Sequence, residues 1–436
     1  MPLAPGRVQA ADPKEAAQQI AQLQTAGRQA YKDHNYQAAA DRYRELIQRF
    51  PDAAEVPAAR LNVARMLLEG PQKNPDAAIE ALKPILDQQE FPQRAELLYE
   101  AGLAHRELGE RLFTKAQHDS AADAPKTRAA AKEQFELAAT HFSGAANAFA
   151  SRGGPIKVSE TESISVDFEW ALRAKCDQAE MLNRAEDFSA TLAAIERFLD
   201  HPLLAKSHYQ HLALYQHGQA AFALKDYPTA CRDLGKLAPF ADRGIGLHTQ
   251  YLLARMHQEM DELPEAARHY EAILTGYEAE KKMAQDALRD GNAFRDNPDE
   301  RLRLEAIQRD PPPEFVRRCE LQLGEIALAD HRYADAAGRF QNFLKTNPPG
   351  ELLAQTQLQL AMAQTGAKQF ADALRLLQPL RDREPLAEAA RTWSARAFVG
   401  GADPTKGPAY DQELNKAAED FRHAIELAGK AKDPAA

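Results

Sequence analysis

The chain has 436 residues, with 54 Lys and Arg against 64 Asp and Glu, a formal net charge of −10. That length exceeds what one compact core covers, so it predicts several domains or a repeat array. The acidic balance argues against nucleic acid or an anionic membrane surface as partner, and no stretch reaches the roughly 18 apolar residues that a membrane-spanning helix needs.

The first residues, MPLAPGRVQAADPKEAAQQ, lack a charged segment followed by an apolar one, so they are not a complete signal peptide. Val8-Gln9-Ala10 nevertheless has the small-residue spacing of a leader cleavage site. The expectation is either a start codon upstream of Met1 or an ordinary disordered segment over 1–15.

From there the sequence repeats itself. One copy runs Gly27, Ala30, Tyr36, Ala39, Tyr43, Leu46 and Pro51, and another Gly218, Ala221, Tyr227, Ala230, Leu234 and Leu237. A third runs Ala254, His257, Leu263, Ala266, Tyr270 and Ile273, and a fourth Gly324, Ala327, Tyr333, Ala336, Phe340, Phe343 and Pro348. Weaker copies start at Ala179 and Ala361. In each, a small residue is followed at +3, +9, +12, +16 and +19 by residues that are small or apolar in the clear copies, His257 excepted. That spacing predicts a helical hairpin. A small residue on the first helix lets the second cross closely, a polar turn follows, and the residue at +9 plugs the elbow. Positions +12, +16 and +19 then make one apolar stripe at helical period, and proline stops the second helix in two copies. A single hairpin cannot bury such faces, so the hairpins must stack.

Between these copies lie degenerate ones. Residues 54–90 read as a hairpin broken at GPQKNP (70–75), with Ala78, Leu82 and Ile85 on its second helix. Residues 93–150 read as an oversized pair, one helix continuing towards His118 and the other over roughly 126–150, followed by an exposed loop over 151–165. A larger insertion, 278–313, carries a charged helical stretch, a breaker, a short helix and Pro311 to Pro313, and is expected to protrude. The last repeat is interrupted at 400–412, after which Ala417, Phe421 and Ala424 recover the stripe. The predicted organisation is a disordered 1–15, an array over 16–277, the insertion 278–313 and a second array over 314–430.

This pattern resembles the tetratricopeptide repeat (TPR) family, built on a helix–turn–helix unit of 34 residues. The small, aromatic, alanine and proline positions named above match its signature, and Trp393, four before Ala397, fits its early tryptophan. The resemblance covers roughly 16–280 and 314–430, and the segments NYQAAADRYRELIQRFP and RYADAAGRFQNFLKTNP look most like bacterial cell-envelope members. It implies an all-α fold, a right-handed superhelix (α-solenoid) of about nine hairpins, whose first helices line a concave groove. The groove positions it implies are Gln24, Arg28, Arg65, Tyr99, Cys176, Glu180, Tyr215, Gln219, Tyr251, Arg255, Leu321 and Glu325. Arg28 and Arg65 would make the early groove basic, with Glu180 and Glu325 as isolated acids. Members that grip a peptide carboxylate use Lys and Asn where this chain has Gln24/Arg28 and Tyr215/Gln219, which puts that activity in doubt.

Catalytic chemistry is not visible. Histidines gather at His201, His208, His211, His217, His248, His257 and His269, but without an HExxH or patterned carboxylates they read as surface, groove or packing residues rather than metal ligands. Cys231 and Cys319 read as small buried hydrophobes, and three dispersed cysteines make neither a disulfide framework nor a Cys-based zinc site. No glycine-rich phosphate loop occurs. The expectation is a scaffold without catalysis or cofactor, binding a protein or peptide partner. A structural part of a cell-envelope assembly is the alternative, and a metal enzyme built on His201–His269 comes third. The envelope likeness points to the periplasm, with the cytoplasm as alternative.

Overall fold

The computed structural model describes residues 13–152, 164–199, 204–242, 244–290, 294 and 298–431. Val8-Gln9-Ala10, His201 and most of the 151–165 loop lie outside them. The described residues form helices and no strand, and the chain divides into two compact units, Met1–Leu237 and Ala238–Ala436.

The first unit is five antiparallel hairpins in succession: α1 (Pro13–Lys32) with α2 (Tyr36–Arg49), α3 (Val56–Glu69) with α4 (Pro75–Leu82), α5 (Arg94–His118) with α6 (Ala124–Arg152), α7 (Val166–Arg184) with α8 (Phe188–Leu199), and α9 (Gln210–Ala223) with α10 (Tyr227–Gly235). The second unit has α11 (Gly246–Glu259) with α12 (Leu263–Leu288), then α13 (Pro298–Arg309). It continues with α14 (Glu314–Ala329) and α15 (Tyr333–Leu344), α16 (Gly350–Gly366) and α17 (Phe370–Leu377), and α18 (Ala387–Gly401) and α19 (Pro408–Ala431). Within each unit each hairpin stacks on the next through its second helix, as α2 does on α3 and α15 on α16, so each unit is an α-solenoid segment. The hairpins among the described residues number nine, as the repeat phase predicts.

The repeat positions behave alike in every copy. The +12 residues, Ala39, Thr191, Ala230, Ala266, Ala336 and Ala373, are all completely buried. The small residue lies under the +16 side chain. A Cβ on Gly324 would stand 2.6 Å from Phe340, and Gly27 under Tyr43 and Gly218 under Leu234 repeat the arrangement. The elbow residue at +9 is half-buried in all six copies.

One feature of the turn recurs without having been predicted. The residue at +7 has positive φ in all six copies: His34, Glu186, Lys225, Asp261, His331 and Lys368. Two backbone bonds accompany it. In the first copy the Asn35 N–H donates to the Ala30 carbonyl at 2.8 Å and His34 N–H to Tyr31 at 2.9 Å, and the Lys225 and His331 turns match. This is a Schellman closure of each first helix. In three copies the next residue then caps the second helix with its side chain: Asn35 Oδ1 accepts from Ala38 N at 3.1 Å, and Asp187 and Asp226 do the same for Ala190 and Thr229.

The degenerate regions fold as follows. The oversized pair α5/α6 is in antiparallel register, with Phe142 over Gly102 and Phe135 over Gly109. α12 runs unbroken across residue 278, and α13 packs on its distal half, where Gln308 Nε2 donates to the Lys281 carbonyl at 2.5 Å. In α19, Ala417 and Ala424 are buried as expected, but Phe421 is 37% exposed. The buried face follows 417, 420 and 424, so Asp420 sits inside instead, paired with Arg381 and with Arg391 at 3.2 Å. No helix among the described residues is long and apolar enough to cross a membrane.

Candidate functional site

The first helices of four consecutive hairpins in the first unit, with the end of α6, line a cavity of about 590 Å³. Its charged walls are tied together. Arg65 on α3 donates from Nε to Glu100 Oε1 on α5 at 2.8 Å, and Arg152 at the end of α6 reaches Glu96 at 2.9 Å and Asp167 on α7 at 3.3 Å. Burial pushes the Glu100 carboxyl above the usual carboxylate range, and Arg65 offsets this only in part. Burial and a hydrogen bond to Glu69 raise the Tyr31 hydroxyl, which closes the α1 side.

The remaining wall is aromatic. Tyr99 meets Trp170 edge-on at 5.4 Å between ring centroids, and Trp170 stacks on Phe149 at 5.7 Å. The Arg173 guanidinium lies over both Tyr99 and Trp170, at 5.6 and 5.1 Å. A second, more apolar cavity of about 390 Å³ lies beside the first, lined by Ile164, Val166, Trp170, Lys206 and Tyr209 among others. Val166 and Trp170 line both cavities, 73% and 36% exposed, and form the ridge between them. At the foot of this ridge Glu169 accepts from Ser207 Oγ at 2.8 Å, fixing the approach to α9.

Of the implied groove residues, Arg65 and Tyr99 meet in the larger cavity, while half-buried Gln24 and exposed Arg28 do not line it. Arg65 is spent on Glu100, and more carboxylates than guanidiniums line the cavity, so it is not the basic patch expected. Glu180 is not an isolated acid either, because Arg184 and Arg106 pair with it at 2.9 and 3.5 Å. Gln219 accepts from Asn183 Nδ2 at 3.4 Å, and burial raises the Tyr215 hydroxyl. Cys176 is buried rather than groove-facing. In the second unit Tyr251 and Leu321 are buried, Tyr251 packing on Tyr270 and Phe315. There Arg255 lies 3.5 Å from Glu259, and Glu325 accepts from Gln359 at 2.9 Å. The repeat frame missed Trp170, Phe149 and Arg152. The available signal was Trp170 itself, one of two tryptophans in the chain.

The histidines serve other ends. His217 is buried with Nδ1 2.7 Å from Asp233, whose carboxyl His217 and Arg232 hold far below its usual range against the effect of burial. His257 bonds to Glu262 at 2.6 Å and stacks on His269, whereas His208 and His211 are exposed and His248 lies edge-on to Phe315. Among the described residues no three His, Cys, Asp or Glu side chains are grouped to hold a metal ion. Cys231, expected buried, is half-buried.

Hairpins of one internal spacing, closed by one type of turn and carrying cavities on the first-helix side, make this an all-α, TPR-like repeat array. No family model and no curated relative matches the chain. Solved structures that match include the TPR domain of P58(IPK), 12% identical over 95% of this chain and 99% of that one, with a TM-score of 0.23. The APC/C hetero-tetramer Cut9–Hcn1 matches at 13% identity over 96% and 98%, with a TM-score of 0.25, and yeast Tom70 at 13% over 94% and 92%, with a TM-score of 0.23. At such scores these likenesses add nothing to the fold that the hairpins themselves define.

Proposed function

We propose that the chain is a non-catalytic scaffold that captures an extended protein segment along the first-helix side of its first unit. The observation that carries this is the Val166–Trp170 ridge with a cavity on either side. Trp, Tyr and Arg are the residue types that concentrate binding energy, and here the ion pairs and ring stacks hold them before any partner arrives, which lowers the ordering cost of binding. The test is selection of displayed random peptides on the full chain, followed by affinity measurement against Trp170→Ala. Selected peptides are expected to lose about tenfold or more in affinity, with unchanged helical circular dichroism. Peptides that bind the variant as tightly as the parent chain would overturn the proposal.

A further inference from the structure

The guanidiniums of the larger cavity are engaged, and its carboxylates are not fully used. Arg65 is bonded to Glu100, Arg152 bridges Glu96 and Asp167, and Arg173 covers the Tyr99 and Trp170 rings. Four carboxylates line the space (Glu69, Glu96, Glu100 and Asp167) against these three cations. A carboxylate accepts about four hydrogen bonds. Yet Glu96 Oε2 is buried with no hydrogen-bond partner, its other oxygen being the one that Arg152 holds. A buried acceptor without a donor is costly until a donor reaches it. The carboxylates of the cavity therefore outnumber its guanidiniums by one, and one carboxylate oxygen is left without a donor.

The neighbouring cavity is more apolar. Its Glu169 is satisfied by Ser207, and Ile164, Val166, Trp170 and Tyr209 offer apolar surface. A ridge shared by the two cavities sets their occupants close together along one extended chain.

We infer, resting on the scaffold proposal, that the captured segment is basic and apolar. A Lys or Arg side chain enters the larger cavity towards Glu96, and an apolar or aromatic side chain a few residues away fills the smaller one beyond Trp170. An acidic segment finds Arg65 and Arg152 already paired with carboxylates and Arg173 over aromatic rings, and meets surplus carboxylates, so it is disfavoured.

The experiment uses the same displayed peptides on the full chain, with affinities measured against Glu96→Gln, Glu69→Gln and Trp170→Ala. Recovered peptides should pair Lys or Arg with an apolar residue, and lose about tenfold on Glu96→Gln. They should also weaken as salt rises from about 50 to about 500 mM. Glu69→Gln gives an independent reading should Glu96→Gln fail to fold. Acidic or uncharged peptides that depend on Trp170 would overturn this inference and leave the scaffold proposal standing. Peptides indifferent to Trp170→Ala would overturn both.

Discussion

The Tyr99 hydroxyl donates to Asp177 Oδ2 at 2.6 Å, tying the first helix of one hairpin to that of the next beneath the cavity wall. Asp177 is 7% exposed, and burial pushes its carboxyl above the usual range, with Tyr99, Arg106 and Arg173 pulling it back in part. Burial likewise raises the Tyr99 hydroxyl, which stays protonated and remains a donor. Tyr99→Phe keeps the ring but removes that donor, leaving Arg106 and Arg173 at 3.9 Å as the nearest charges. The expected loss is about 1–3 kcal/mol in urea unfolding near pH 7. A carboxyl whose folded pKa is raised destabilises the fold as it ionises, so the loss should shrink towards pH 4 as Asp177 takes up its proton. An equal loss at both pH values would show that the bond does not act through Asp177.

The hairpin spacing was legible because it is a packing rule. The +12 residues must be small to let helices touch, and Ala39, Ala230 and Ala336 are. The turn was not legible, since left-handed helix closures normally advertise themselves by Gly or Asn, and this chain puts His34, Glu186, Lys225, Asp261, His331 and Lys368 there. Fixed turn length explains why six copies keep one spacing while the sequences inside them drift.

Each of these residues bears the cost of a Cβ in the left-handed region, roughly 1 kcal/mol. Lys225, exposed with φ of 63°, has a side chain that the fold does not need buried. Lys225→Gly should therefore raise the unfolding free energy by about 0.5–1 kcal/mol, the relief of strain exceeding the extra freedom of the unfolded chain. Lys225→Val should lower it, since a β-branched residue tolerates positive φ least. Thermal melts of the two variants check the sign, and a stabilising valine would contradict this account of the turn.

The site was legible only on first helices, which the repeat frame still placed in the degenerate hairpins. Arg65 and Tyr99 occupy frame positions, whereas Phe149 and Arg152 end the 29-residue α6, which the frame does not index. Pairing was also hidden, because partners lie one repeat apart in sequence. Arg65–Glu100 are 35 residues apart and Glu325–Gln359 34 apart, and Lys73–Glu107, also 34 apart, close to 2.5 Å. A separation near 34 plays between hairpins the part that i,i+4 plays along one helix. Applied to the sequence, it would have marked Arg65 as spent.

Two glycines of one hairpin should respond oppositely to alanine. A Cβ on Gly324 would lie 2.6 Å from the buried Phe340 ring, while one on Gly338 would meet nothing within 4 Å. Gly338→Ala should gain about 1 kcal/mol from helix propensity. Gly324→Ala should lose about 1–3 kcal/mol despite that gain, because the ring must shift in a filled core. Chemical denaturation of both variants is the check, and a stabilised Gly324→Ala would mean that the hairpin opens there freely.

The three thiols should separate by burial. Burial drives Cys176 and Cys319 well above the usual thiol range, and neither offers thiolate to a reagent at neutral pH. Cys231 is half-buried. Titration of the native chain with a chromogenic disulfide should show one fast equivalent, lost in Cys231→Ser, and two that appear on denaturation. Three fast equivalents would mean that the α7 and α14 cores are open in solution.

Stability should fall on mild acidification through His141. Its ring stacks on His105 with centroids 5.3 Å apart inside the α5/α6 pair. Burial first, then His105 and Arg94, push its pKa down to about 4 from 6.5. His105 is itself lowered by burial, with Gln134 opposing from 2.8 Å. Between these two pKa values of His141 the unfolded chain binds a proton that the folded chain refuses, so the unfolding free energy rises with pH across that window. The contribution is complete above about pH 6.5 and lost towards pH 4. Discounted for the partial exposure of the ring, it amounts to about 1–2 kcal/mol. His141→Phe preserves the stack and removes the proton site, so urea unfolding at pH 7 and pH 5 should show a smaller difference for the variant than for the parent chain. Equal differences would place the acid sensitivity in another buried imidazole, such as His105 or His248, whose pKa burial also lowers.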